Sequence, residues 1–197
     1  IRDAQESRGL GDVYKRQDVV SAYDIDVLLP VSTYLEAEKM CKGEYDLVYP
    51  FGFGTQENQV KWQKKVFASD ELVSDFLNQN FDFSIFENHS QKDRAQWGHA
   101  QFFKRESYIK GGMENENFKA WGPEDEEKHY RFPKLGYNIG RIFDWVYHLE
   151  HSRGDDSERT NIYFHDNLKL MEDIRSLSVE ELRNYYNTQE YLKKYHD

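Results

Sequence analysis

Val19-Val20-Ser21-Ala22-Tyr23-Asp24-Ile25-Asp26-Val27-Leu28-Leu29-Pro30 is the stretch on which the reading of the fold turns. Its apolar and β-branched residues predict a buried strand that ends at Pro30, interrupted by carboxylates at i and i+2. Side chains alternate with a period of two along an extended segment, so Asp24 and Asp26 are expected on one side of it. Two unpartnered charges facing a core would be costly. A strand end that holds a hard divalent cation removes the conflict, because Mg²⁺ or Mn²⁺ takes carboxylate oxygens together with substrate phosphates. The plainer alternative is a solvated turn.

Outward from this stretch, Val31 to Lys42 is rich in helix formers and ends at Gly43, which predicts a helix. Tyr45 to Pro50 reads as a second strand, closed by the glycine-punctuated loop Phe51-Gly52-Phe53-Gly54. Asp70 to Asn80 carries Leu72, Val73, Phe76 and Leu77 at helical spacing. Gln101-Phe102-Phe103 and Tyr108-Ile109 predict short strand-like or helical pieces before Gly111-Gly112, and a polar loop over Glu114 to Phe118 resembles an acceptor loop. Pro123 followed by Glu124, Asp125, Glu126 and Glu127 is a helix start, since acids in the first turn oppose the dipole and a missing proline N–H costs nothing there. Tyr137 to Ile142 predicts a strand, Trp145 to His151 stays apolar up to a histidine pair, and Ser178 to Glu181 forms a capping box. Mixed strands and helices without a long linker predict an α/β fold, a mixed sheet flanked by helices.

Composition narrows the function. The 197 residues carry 36 acids against 26 bases, a formal charge of −10, which opposes non-specific attraction to nucleic acid or anionic lipid. Fourteen Tyr, 13 Phe and 4 Trp exclude a disordered polyanion. The single cysteine, Cys41, excludes an intrachain disulfide and any multi-cysteine zinc site and suits a reducing, cytoplasmic setting. No apolar run approaches the ~20 residues of a membrane span. Residues 1–17 read as a non-native leader without a signal-peptide pattern, 18–154 as the functional unit and 155–197 as a helical extension.

Two further clusters suggest chemistry. His148-Leu149-Glu150-His151 places two imidazoles three residues apart, which suits either metal ligation or a hydrogen-bonded pair, and Arg153 adds a cation suited to phosphate. In Trp121-Gly122-Pro123-Glu124-Asp125-Glu126-Glu127 the acids alone would be explained by helix capping, but the preceding Trp and Gly would not. An indole is a flat platform for the apolar face of a sugar, and glycine lets the backbone pass close to something bulky. A carboxylate at a helix start beside that platform can accept a proton from a hydroxyl.

Asp24-Ile25-Asp26, Gly111-Gly112, Trp121-Gly122-Pro123-Glu124-Asp125, Arg131, Gly136 and His148 to Arg153, in this order, resemble the catalytic half of inverting glycosyltransferases of the GT-A fold. The likeness is to the β-1,4-galactosyltransferase C-terminal domain and bacterial polysaccharide-forming relatives, over about two thirds of the chain. It implies Asp26, His151 and His148 as ligands of Mn²⁺ or Mg²⁺, with Asp24 nearer the nucleotide-sugar. Asp125 is then the catalytic base, Glu124 binds acceptor, Trp121 stacks on a sugar, and Gly111, Gly112, Gly122 and Arg153 belong to the substrate-binding set. Pro123, where animal enzymes have glycine, points to the bacterial branch.

The implied function is transfer of a hexose, galactose or an N-acetylhexosamine, from a UDP-sugar to a saccharide acceptor, as in polysaccharide synthesis. In that family nucleotide-binding strands precede the Asp-x-Asp motif, and only 23 residues precede Asp24 here. The uridine half is therefore expected to be missing, with weak donor binding, or none, and self-association through an exposed sheet edge. A non-catalytic carbohydrate- or protein-binding module on the same scaffold is the alternative. A metal-dependent hydrolase is a third, and donor hydrolysis without acceptor would be its sign.

Overall fold

The computed structural model describes residues 17–60, 74, 78, 81–84, 86, 90–149, 154 and 159–195. The chain runs as β1 (Val19–Tyr23), turns at Asp24 to Asp26, and resumes as β2 (Val27–Leu28). The Val27 N–H closes the turn on the Asp24 carbonyl at 3.1 Å, and Ile25 at its tip is fully exposed. The expected continuous strand is thus corrected. Aspartate favours turns over pleated ladders, and two of them outweigh the β-branched residues around them.

Pro30 then opens α1 (Val31–Lys42), whose buried Thr33, Ala37 and Cys41 recur every four residues on one face. The Gly43 N–H caps it by donating to the Lys39 and Met40 carbonyls. There follow β3 (Leu47–Tyr49), β4 (Gly54–Val60), β5 (Ser90–Ala95), β6 (Ala100–Lys104) and α2 (Arg105–Lys110). The second half holds α3 (Glu124–Lys134), β7 (Ile139–Arg141), β8 (Val146–Leu149), α4 (Phe164–Ser176), α5 (Val179–Asn187) and a 3₁₀ segment, Glu190–Tyr195. Ser178 and Glu181 form the expected capping box at the start of α5. The helix expected over 70–80 falls almost wholly outside the described residues.

The strands form two mixed four-stranded sheets, ordered β1-β6-β3-β7 and β2-β8-β4-β5. In the first, β6 runs antiparallel to β1 and β3, and β3 runs parallel to β7. In the second, β8 is antiparallel to β2 and parallel to β4. The fold is therefore α/β, and the Asp24 to Asp26 turn is the first of several places where the chain passes from one sheet to the other. Leu47, Val48 and Tyr49 have no exposed surface, as expected of an inner strand covered on both faces. Asp46, just before them, accepts from the Asn138 N–H (2.8 Å) and the Ser107 hydroxyl, clasping distant parts of the chain to β3. Among the described residues no helix is long and apolar enough to cross a membrane.

Among the described residues, three apolar clusters hold the layers together. The largest lies between the first sheet and α1 and includes Phe132 of α3. A second packs Leu28, Tyr147 and Leu149 of the second sheet on Phe81, Phe83 and Phe86. The third joins Leu135 at the end of α3 to Ile174, Leu182, Tyr186 and Leu192. The C-terminal helices cluster with the end of α3 and with Met113 and Phe118 of the loop before it.

Gly111 and Gly112 lie where these parts meet. Gly112 has φ +100°, and a Cβ there would stand 2.3 Å from Tyr186 Cδ1 and 2.6 Å from an Arg131 nitrogen. Gly112→Ala is expected to cost about 2–4 kcal/mol, combining left-handed strain with overpacking. Urea unfolding checks it, and a change below about 0.5 kcal/mol would show that Tyr186 moves aside freely.

Candidate active site

The site grows from the loop that follows β5 and the first turn of α3. His99 has φ +71°, a conformation that a side chain with a Cβ adopts only where its surroundings enforce it. Its carbonyl accepts from the Asp24 N–H at 2.9 Å, which fixes the acidic turn to the loop before β6. Gln101 on β6 donates to the Trp97 carbonyl (2.6 Å) and to Asp125 Oδ1 (3.0 Å), tying the same loop to α3.

Asp125 sits in the first turn of α3 with its two oxygens differently employed. Oδ1 takes the Gln101 amide and the Lys128 ammonium, the latter at 3.1 Å. Among the described residues no donor reaches Oδ2, which lies so close to Gly98 that a Cβ there would stand 3.0 Å away. One oxygen is thus anchored and the other is available to take a proton, the arrangement a general base requires.

Two cavities border Asp125, and Gly98, His99 and Asp125 line both. The first, of about 190 Å³, is acidic, with Asp24, Glu114, Glu124 and Lys128 in its wall. The second, of about 390 Å³, has Trp97, Trp121, Phe164, Arg94 and Arg159. Trp121 stacks on Phe164 with ring centroids 5.7 Å apart and planes 13° from parallel. Asn167 on α4 brackets the loop that carries it, accepting from the Lys119 N–H (3.1 Å) and donating to the Lys119 carbonyl (2.7 Å). Gly122 passes so near that a Cβ would meet Asn167 Nδ2 at 2.6 Å.

Charge in the acidic cavity is managed by Lys128, which is 3 % exposed and bonds Glu114 Oε2 at 2.5 Å. Burial alone would lower its ammonium pKa, but Glu114 and Asp125 outweigh that and hold it above the usual lysine range. Solvent reaches Asp24, yet the surrounding protein and then the Asp125 and Asp26 carboxylates raise its pKa. Glu124 is pushed up to about 7, first by burial and then by Asp125.

Glu124 therefore binds its proton more tightly in the folded chain than in the unfolded one. Its ionisation erodes stability as pH rises from the ordinary glutamate range through about 7. Glu124→Gln removes this penalty. It should leave stability unchanged at about pH 4 and raise it by on the order of 1 kcal/mol at about pH 8, after allowance for screening. Equal denaturation curves for the two proteins at the higher pH would contradict the assignment.

On the far side of the acidic turn, Asp26 Oδ2 lies 3.6 Å from His148 Nε2, held there by the pairing of Val27 with His148 between β2 and β8. A carboxylate oxygen facing an imidazole nitrogen is a donor set that fits Mn²⁺ or Mg²⁺. The His99 ring packs against that of His148, with centroids 5.3 Å apart. No third His, Cys, Asp or Glu completes a ligand group among the described residues. His151 and Arg153 lie outside those residues.

Of the predicted residues, then, Asp24, Glu124 and Asp125 line one cavity, Asp125, Trp121 and Gly122 the other, and Asp26 and His148 meet at the sheet junction. Glu124, expected on the acceptor side, lines the Asp24 cavity, and Glu126 lines the Trp121 one. Gly111 and Gly112 line neither cavity and are buried against Phe132, Arg131 and Tyr186. His99, Gln101, Lys128 and Phe164 are the site residues that sequence reasoning missed. No protein-family model matches the chain, and no curated protein matches it in sequence.

Proposed function

We propose that the protein is a metal-dependent, inverting hexosyltransferase of GT-A type that moves a hexose from a UDP-sugar to a saccharide acceptor. The observation that carries this reading is the position of Asp125, whose carboxylate forms part of the wall of two adjoining cavities of different chemistry. A hydrolase needs room for one substrate and water, whereas a transferase needs two substrates on either side of one base.

In this reading the acceptor ring lies on Trp121 and presents a hydroxyl to Asp125 Oδ2. Gln101 and Lys128 keep Oδ1 in place, so the carboxylate does not turn as it takes the proton. The acceptor oxygen forms a bond to the anomeric carbon of the donor held on the Asp24 side, the bond to the nucleoside diphosphate breaks with its electron pair, and the configuration inverts. Asp24, Glu124 and Glu114 offer acceptors for the hydroxyls of the donated sugar. Asp26 and His148 would hold the divalent cation, which when bound neutralises the diphosphate in an otherwise acidic setting.

Calorimetric titration of UDP into the purified chain tests the donor side. Binding that requires Mn²⁺ and is lost in Asp26→Ala is expected, with at least a tenfold weakening, as for removal of a metal ligand. UDP binding by the folded chain that is indifferent to Mn²⁺, or that survives Asp26→Ala, rejects the reading.

A further inference from the structure

The two cavities beside Asp125 differ in charge, and the second has a sign that sugar stacking does not require. Its acids, Asp125 and Glu126, are answered from outside the cavity: Lys128 stands 3.1 Å from Asp125 Oδ1, and Arg175 bonds the Glu126 carboxylate. Neither cation lines the cavity. Arg159 does line it, is exposed, and joins no ion pair among the described residues, and Arg94 lines the same space. The wall therefore combines a rigid aromatic platform, Trp121 on Phe164, with guanidinium groups in a cavity whose acids each have a cation partner outside it.

We infer that this cavity takes a saccharide bearing an anionic group on the ring that stacks on Trp121. Such a ring has an apolar face for the indole and, at its edge, a carboxylate or phosphate for the planar fork of arginine. A neutral sugar would use the platform and leave Arg159 idle. In a chain of net charge −10, long-range electrostatics would repel such a ligand, so a local guanidinium is what selective capture demands, and Arg159 supplies it. That the anionic sugar is an acceptor rests on the transferase reading; that it binds here does not.

The test follows tryptophan fluorescence of the full chain, without donor or metal, on addition of methyl β-glucuronide, glucose 6-phosphate or methyl β-glucoside. At low salt an anionic sugar is expected to bind at least about tenfold more tightly than the glucoside, the usual scale for a charge-assisted hydrogen bond. The preference should vanish in Arg159→Gln, shrink in Arg94→Gln and collapse at high salt, with the circular dichroism of both variants unchanged. Tighter binding of the glucuronide assigns a uronic acid, and tighter binding of the phosphate a phosphorylated sugar. Equal affinities, a preference that survives Arg159→Gln, or no binding by any of the three overturns the inference. Binding of anionic sugar by a chain whose UDP binding is indifferent to Mn²⁺ keeps the inference and rejects the transferase; Mn²⁺-dependent UDP binding without a preference for anionic sugar rejects the inference alone.

Discussion

On the transferase reading, Asp125→Asn is expected to lower hexose transfer by about 10²–10⁴-fold while leaving Mn²⁺-dependent UDP affinity within about twofold. The amide keeps the shape of the carboxylate and can still accept from Gln101 through its oxygen, but it cannot take a proton from the acceptor. Because Asp125 lines both cavities, the comparison has to separate binding from chemistry. UDP release from a panel of UDP-hexoses with saccharide acceptors gives the rate, and calorimetry gives the affinity. A variant that retains full rate would remove Asp125 from the chemistry, and one that loses UDP affinity as well would assign it to the scaffold. Lys128 sharpens the test, since its buried ammonium would keep Glu114 as a partner and lose Asp125 as its second, so at most a modest loss of stability should accompany the loss of rate.

The largest loss of stability is expected from Arg131→Met. Arg131 and Glu127 have fully buried side chains, with Nε 2.9 Å from a glutamate oxygen. The guanidinium also donates to the Gly111 carbonyl and, at 2.8 Å, to the Met113 carbonyl, and it lies 4.0 Å from the centroid of the Tyr186 ring. The Tyr186 hydroxyl donates to Glu127 at 2.7 Å and closes the network. Removing the cation strands a buried carboxylate and leaves the Gly111 and Met113 carbonyls without their donor, which costs about 3–5 kcal/mol. That is a large share of the stability of a typical domain. Denaturant unfolding should show it, and Glu127→Gln in the same chain should restore part of the loss by removing the stranded charge. A single variant as stable as the parent would mean that water reaches the site.

Local signals were legible in the sequence where one segment decides its own structure. The bounds of α1, the helix start after Pro123 and the Ser178 capping box each depend on residues within a turn of one another. The Asp24-Ile25-Asp26 stretch misled because the apolar pattern around it continues on both sides of the turn, into strands that belong to different sheets. Lys128 reads as one more surface charge on an acidic helix, and only the approach of Glu114 from a separate loop makes it a buried counter-ion. His99 and Gln101 are isolated polar residues between strand residues, with nothing nearby in sequence to mark them. Phe164 lies in the extension that had no functional reading, yet it supplies the surface on which Trp121 rests. Each of these residues gains its role from a partner on another element, which no local pattern encodes.

The placement of β3 also has a kinetic consequence. Leu47 pairs with Phe103 on one side and Ile139 on the other, and Asp46 reaches Asn138, so the strand at the heart of the first sheet finds its neighbours only in later parts of the chain. Loop-closure entropy must be met before those contacts return anything, and a parallel partner is the slowest kind to recruit. During synthesis a fully apolar strand waits with both edges open until residues up to Arg141 have emerged, the interval in which such strands are most prone to pair with other chains. Yield of folded protein should therefore rise at lower expression temperature, when fewer incomplete chains coexist.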